Sequence, residues 1–285
     1  MNFLLTKNYS TTGYLGSRDQ TQLFYRHYEV ANHRAIVLLV HGFGEHSGRY
    51  SHVIDRLLEE GFEVWCLDLR GHGHSQGSRG DVEKFTQYED DVDALIQLAK
   101  SKNRKSKIFI VAHSMGALVS LALLAHTKQL VDGLVLSCPL LGLKITIPVW
   151  KKYLTSVLLK IVPKVKFRST IRGKQLSSDD TFSEAYDSDP LVLKSLSIRA
   201  FWHMVEAYKN AAAFASQVQA PFLMQVAGRD TVVDTNAAKS WFKLVNSPTR
   251  DATLKNYPDF LHEIYNEKER ELAMSDMVIW LKQRS

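Results

Sequence analysis

Val111-Ala112-His113-Ser114-Met115-Gly116-Ala117 sits between two apolar runs, Ile108-Phe109-Ile110-Val111 before it and Leu118-Val119-Ser120-Leu121-Ala122-Leu123-Leu124 after it. The first run is short and rich in β-branched residues, and the second is apolar on nearly every side. Together they spell a buried strand, a sharp turn and a buried helix, with Ser114 at the apex. A hydroxyl held there is exposed at the positive end of a helix dipole. Strand and helix backbones nearly touch at such a turn, so small residues must flank it. Gly116 meets that demand, and Ala112 stands where the G-x-S-x-G pattern has its first glycine. By itself the stretch fits a plain strand-to-helix junction equally well. The rest of the chain separates the two readings.

The chain has 285 residues, of which 45% are hydrophobic, enough for one α/β domain with an insertion. No run approaches the ~18 apolar residues of a membrane span. The start, Met1-Asn2-Phe3-Leu4-Leu5-Thr6-Lys7, lacks the apolar core and cleavage site of a secretory signal. Cys66 and Cys138 each fall within an apolar strand-like run and read as reduced packing residues, consistent with a cytoplasmic location. No Cys/His spacing matches zinc, and neither a metal nor a cofactor is expected. The net charge of +6 is local: nine Lys and Arg lie between Leu143 and Ser178 with no Asp or Glu, leaving 27 basic against 30 acidic residues elsewhere.

Residues Thr11–Val30 read as a hairpin turning at Arg18-Asp19. Ala35–Val40 is a continuous apolar run, as in a strand buried on both faces, and it ends in the loop His41–Tyr50. Tyr50, Val53, Ile54, Leu57 and Leu58 mark a helix that Gly61 stops. Phe62–Leu67 is the next strand and runs into the glycine-rich loop Asp68–Ser75. Tyr88, Val92, Leu95 and Ile96 mark a helix with an acidic start and a basic end. Val131–Cys138 and Phe222–Val226 are further strands. A helix over about 236–245, a strand over about 253–257 and a last amphipathic helix complete the chain. Strands alternating with helices imply a mainly parallel sheet with helices on both faces. In such sheets the working residues gather at the carboxyl ends of the strands, which is where Phe43, Ser114, Asp230 and His262 all fall.

A serine hydroxyl needs a base at hydrogen-bond distance, and the base needs an orienting carboxylate. The chain offers Ser114, Asp230 and His262 in that order. Asp230 follows a strand within Gly228-Arg229-Asp230. Asp234, its competitor, is better placed to cap the next helix. His262 precedes the last helix. The backbone N–H groups of Met115 and Phe43 are the candidate oxyanion donors. His41 and His113 read as structural, His72 and His74 as loop-locking, and Asp68 and Arg70 as a structural pair.

The blocks H-G-F-G-E-H-S-G-R-Y (His41–Tyr50), D-L-R-G-H-G-H-S-Q-G (Asp68–Gly77), A-H-S-M-G (Ala112–Gly116), S-D-P-L (Ser188–Leu191), G-R-D (Gly228–Asp230) and L-H-E (Leu261–Glu263) resemble the monoacylglycerol lipase / lysophospholipase family of α/β-hydrolases. The resemblance spans about residues 10–283. It implies an α/β-hydrolase core over 1–141 and 216–285 with a helical cap, or lid, inserted at 142–215. It implies Ser114 as nucleophile, Asp230 as acid, His262 as base, and oxyanion donors at Phe43 and Met115. In the monoacylglycerol lipases the Glu and Arg of the first block contact the glycerol headgroup, which assigns Glu45 and Arg49 to substrate binding; an internal salt bridge is the other reading of that pair. The chain departs from the family at Ala112, Ala117 and Phe43. It also carries Tyr265 where some of those lipases have a second headgroup-binding histidine.

Trp150, Tyr153, Leu154, Val157, Leu158 and Ile161 define one helical face within the insertion, closed by Pro148 and Pro163. That face either packs inward or, with its lysines, meets an anionic lipid surface through the basic cap 144–174. Nucleic acid is not an expected partner, because the basic residues interleave with aliphatics rather than stacking aromatics. These readings converge on a cytoplasmic serine hydrolase, peripheral on the membrane through its cap. It would cleave the carboxyl ester of a lysophospholipid or monoacylglycerol through an acyl-enzyme, the positive insertion favouring a phosphate-bearing headgroup. A general carboxylesterase or peptidase on the same triad, or a non-catalytic ligand-binding member of the fold, are the alternatives.

Overall fold

The computed structural model describes residues 10–127, 130–144, 158–159, 161–245 and 250–285. Eight strands form one sheet: β1 (Ser10–Gly16), β2 (Gln22–Tyr28), β3 (Ile36–Val40), β4 (Glu63–Leu67), β5 (Ile108–His113), β6 (Gly133–Ser137), β9 (Phe222–Ala227) and β10 (Ala252–Tyr257). Their order across the sheet is β1-β2-β4-β3-β5-β6-β9-β10. β1 pairs antiparallel with β2, and β2 with β4; every other pairing is parallel. The parallel strands β3, β4, β5, β6 and β9 are buried along their whole length. Helices cover both faces, which is why these strands are apolar without alternation. This is the α/β-hydrolase fold.

The helices α1 (Ser51–Glu59), α2 (Thr86–Lys102) and α3 (Met115–His126) follow β3, β4 and β5. α1 buries Val53, Ile54 and Leu57 at helical spacing, so one stripe faces the sheet. α3 is different: ten consecutive residues, Met115–Leu124, are buried. A helix apolar all round sits inside the molecule. Part of its cover comes from the insertion, where Met204, Ala211, Phe214 and Ala215 join the core cluster. Trp241 donates its indole N–H to the Ala211 carbonyl at 2.6 Å, fastening this end of the insertion to the core.

The described part of the insertion is not purely helical. Helices Gly173–Leu176, Asp180–Ser188, Ile198–Lys209 and Ala211–Phe214 are joined by an antiparallel ribbon of β7 (Lys166–Arg168) and β8 (Ser195–Ser197). The alternation Lys164-Val165-Lys166-Phe167-Arg168 has the period of a strand. The expected cap helix over Trp150–Ile161 lies outside the described residues except for Leu158, Leu159 and Ile161, and so do Lys151, Lys152 and Lys160. Among the described residues no helix is long and apolar enough to cross a membrane.

Two expectations need correction. Asp68 and Arg70 do not pair. The Asp68 carboxylate is buried against backbone, accepting the N–H of Ser47 at 2.8 Å and of His74 at 2.9 Å. Arg70 turns instead to Asp91 at 2.6 Å and Asp19 at 2.7 Å. Cys138 lies just beyond β6 rather than within a strand, with φ at +42°.

Candidate active site

The turn between β5 and α3 holds Ser114 at φ +51°, a left-handed conformation that costs on the order of 1–3 kcal/mol and lifts the side chain out of the strand. Backbone contacts fix it there: its N–H donates to Ser137 at 2.9 Å, and its carbonyl accepts from Leu140 at 3.1 Å. Gly116 has no room for a side chain. A Cβ would stand 2.4 Å from the His41 carbonyl and 2.6 Å from that of Val40. The end of β3 therefore lies directly against the first turn of α3, and the loop His41–Gly44 beside Ser114. A Cβ on Gly42 would stand 3.1 Å from the Cβ of Ser114.

That loop is held from several sides. His41 donates Nδ1–H to the Gly42 carbonyl at 2.7 Å and accepts the Leu69 N–H on Nε2 at 3.0 Å, which sets its tautomer. Glu45 accepts the Gly42 N–H at 2.7 Å. Burial lowers the pKa of His41, keeping it neutral. His72 donates Nδ1–H to the Arg70 carbonyl at 2.9 Å and meets the Phe43 ring edge-on at 5.2 Å. Burial depresses its pKa to about 3. Phe43 and Met115 thus flank Ser114 on a braced loop and on the first turn of a helix, whose leading N–H groups have no intrahelical acceptor.

The three expected side chains meet. His262 Nε2 lies 3.0 Å from Ser114 Oγ, and His262 Nδ1 lies 2.7 Å from Asp230 Oδ2. Oδ1 of Asp230 accepts the N–H groups of Val232 and Val233 at 2.8 and 2.9 Å. Burial would raise the Asp230 pKa, but the His262 ring and these two N–H donors hold it below the ordinary carboxylate value. For His262 burial acts downward, and the Asp230 carboxylate outweighs it, so the imidazole pKa is raised. His113 has its ring centre 4.7 Å from that of His262, with Nδ1 3.1 Å from Ser137 Oγ. Burial, then the charge of His262, lower its pKa to about 4, so it stays neutral. Asp234 accepts the Asn236 N–H at 2.9 Å at the start of the helix Thr235–Val245.

Glu45 and Arg49 are buried and engaged with each other at 3.1 Å. The Arg49 guanidinium also grips Glu263 through two bonds of 2.6 and 2.8 Å. Tyr265 is buried in the core, where its hydroxyl bonds Gln225. Gln225 in turn donates to Tyr257 and to the Ala273 carbonyl, tying the His262 loop to β10 and the last helix.

Two neighbours were not singled out from the sequence as parts of the site. Glu263 stands next to His262 in L-H-E; its signal was a second carboxylate available to a buried arginine. The Cys138 sulfur lies within 4.8 Å of donor atoms of Asp230 and His262. Burial and the Asp230 charge push its pKa well up, so the thiol keeps its proton. Asp230 and His262 are already spent on each other.

The profile of the Hydrolase_4 family, described as serine aminopeptidase, S33, matches residues 31–269. Phospholipase YtpA of Bacillus subtilis is 29% identical over 239 residues, covering 83% of this chain and 91% of its own. A monoacylglycerol lipase of Mycolicibacterium smegmatis is 29% identical over 252 residues, covering 87% and 88%. The crystal structure of the Paleococcus ferrophilus monoacylglycerol lipase superposes with a TM-score of 0.83 at 28% identity, covering 92% of this chain and 99% of that one. With a braced serine turn, a histidine and an aspartate on the same sheet edge, and a profile match spanning most of its length, the chain belongs to the Hydrolase_4 family of α/β-hydrolases.

Proposed function

We propose that the protein hydrolyses the carboxyl ester of single-chain lipids, a lysophospholipid or a monoacylglycerol, through an acyl-enzyme. The observation that carries this is the 3.0 Å contact of His262 Nε2 with Ser114 Oγ, backed by the 2.7 Å contact of Nδ1 with Asp230. Ser114 attacks the ester carbonyl while His262 Nε2 takes its proton. The oxyanion is met by the N–H groups of Phe43 and Met115. His262 passes the proton to the departing alcohol, which leaves the acyl group on Ser114. Water then attacks that ester, His262 removes its proton and returns one to Ser114, and the fatty acid departs. Asp230 fixes the tautomer and stabilises the imidazolium. The lipid substrate class is supported by the phospholipase and monoacylglycerol lipase relatives.

A fluorophosphonate probe tests the assignment. It is expected to label one residue, Ser114, with no label on Ser114→Ala. Label on another residue, or none on the folded wild type, overturns it.

We also place the enzyme in the cytoplasm, docked on anionic lipid through its cap. Both cysteines are buried and unpaired, which suits a reducing compartment. Ile161, Val162, Val165 and Phe167 are exposed large apolar residues, and Lys164, Lys166 and Arg168 are exposed among them. Each base near an anionic surface contributes about 1 kcal/mol. Binding to phosphatidylserine vesicles is expected to weaken with salt, and by roughly fivefold for each charge removed in Lys166→Gln and Arg168→Gln. Binding indifferent to salt and to anionic lipid content refutes the docking.

A further inference from the structure

Arg49 connects three parts of the molecule. Glu45, on the loop that carries Phe43, accepts Arg49 Nη1–H at 3.1 Å. Glu263, the residue after His262, accepts from Nη1 at 2.6 Å and Nη2 at 2.8 Å. The guanidinium also lies 4.9 Å from the ring centre of Tyr186 in the cap helix Asp180–Ser188. Both carboxylates carry further bonds. Glu45 Oε1 accepts the Gly42 N–H and the Tyr50 hydroxyl at 2.7 and 2.8 Å. Glu263 Oε2 accepts the Asn266 amide at 2.6 Å. All three charged side chains are no more than 7% exposed. A substrate hydroxyl donating to the Glu45 or Glu263 oxygens here would compete with charge-assisted bonds already made in a buried site.

We infer that the Glu45–Arg49–Glu263 clasp is a positioning device that fixes the Phe43 loop against the His262 loop, and that it does not read the alcohol half of the ester. The inference rests on the Ser114 reading above. Its consequence is a site specific for the acyl chain and tolerant of the alcohol. Glu263 also acts on His262 through its charge. Burial would raise the Glu263 pKa, but the Arg49 guanidinium holds it down at about 2, so it stays ionised. Asp230, Glu263 and Glu45 face His262 with negative charge, and His113 faces it neutral.

The test is Glu263→Gln, with Arg49→Lys as a second variant that keeps the charge and loses the fork. Each is assayed on a monoacylglycerol and on the p-nitrophenyl ester of the same fatty acid. Rates are normalised to sites titrated with a fluorophosphonate, and folding is checked by thermal unfolding. For both variants kcat per titrated site falls by about tenfold to a hundredfold, equally on the two esters, as for a catalytic group displaced by a fraction of an ångström. In Glu263→Gln the acid limb of kcat/KM moves to lower pH, because one of the carboxylates that favour imidazolium is gone. Equal losses with that move support the clasp. A loss confined to the monoacylglycerol and read in KM makes Arg49 a headgroup ligand and overturns it. No loss per titrated site, or an unmoved limb, overturns it too. Absence of titratable Ser114 in the wild type would instead sink the reading beneath it.

Discussion

Ser114→Ala is expected to lower ester hydrolysis by about three to six powers of ten while leaving the fold unchanged. The backbone at this position bonds through its N–H and carbonyl groups to Ser137, Leu118 and Leu140, and these bonds survive the substitution. The left-handed φ is as strained for alanine as for serine, so that cost cancels between variant and wild type. Among the described residues the substitution removes one side-chain hydrogen bond, that to His262 Nε2. A neutral hydrogen bond of this kind contributes about 1 kcal/mol, so the melting temperature moves by a few degrees at most. The rate has no such cushion. Without Oγ the enzyme must use water as nucleophile, and only the oxyanion donors and substrate binding remain. Turnover of a p-nitrophenyl ester and thermal unfolding of the same preparation check both halves. Activity within tenfold of wild type removes Ser114 from the chemistry.

The serine turn was legible because its requirements are local. A buried strand, a small residue at 116 and an all-round apolar helix leave few other structures for Val111–Leu124, and the carbonyls of Val40 and His41 show why Gly116 is small. The sheet followed from apolar runs without alternation, since strands covered on both faces have no polar side to display. The partners of the buried charges were not legible. Asp68 and Arg70 are two residues apart, yet one is consumed by the backbone N–H groups of Ser47 and His74 and the other by Asp91 and Asp19. A buried carboxylate takes whichever donors the loop leaves unsatisfied, and proximity in sequence does not decide which. Arg49 and Glu263 are 214 positions apart, and only the fold brings them together.

The insertion shows the same limit. Its period-2 ribbon at Lys166–Arg168 is short enough to be lost among the surrounding lysines. Polar contacts fasten its described segments to the loops that carry Phe43 and His262. The Leu193 N–H donates to the Gly44 carbonyl at 2.7 Å beside Phe43, and the Glu263 N–H donates to Leu176 at 2.8 Å beside His262. Asp189 pairs with His46 at 2.9 Å, and Arg199 with Asp81 at 2.6 Å. A segment bonded in this way bears on the geometry of both loops.

Asp230→Asn should cost about four powers of ten in kcat, more than the loss of one negative charge would suggest. The reason is the direction of a proton. In the wild type Oδ1 accepts two N–H groups and Oδ2 accepts Nδ1–H of His262, so Nε2 is left as the acceptor for the Ser114 hydroxyl. In the variant the amide oxygen keeps Val232 and Val233, because turning the amide round would set its N–H groups against theirs. The amide nitrogen then faces His262 Nδ1 as a donor. Nδ1 must become an acceptor, the imidazole proton moves to Nε2, and a donor now confronts Ser114 Oγ. The base is in place, with its ring correctly oriented, in the wrong tautomer. The charge adds a second effect with a defined sign. Asp230 raises the His262 pKa against the pull of burial, so in Asp230→Asn that pKa falls and the acid limb of the residual activity lies at lower pH than in the wild type. A modest loss, under tenfold, would mean that His262 is oriented by something other than Asp230, and the proton path through this site would have to be redrawn.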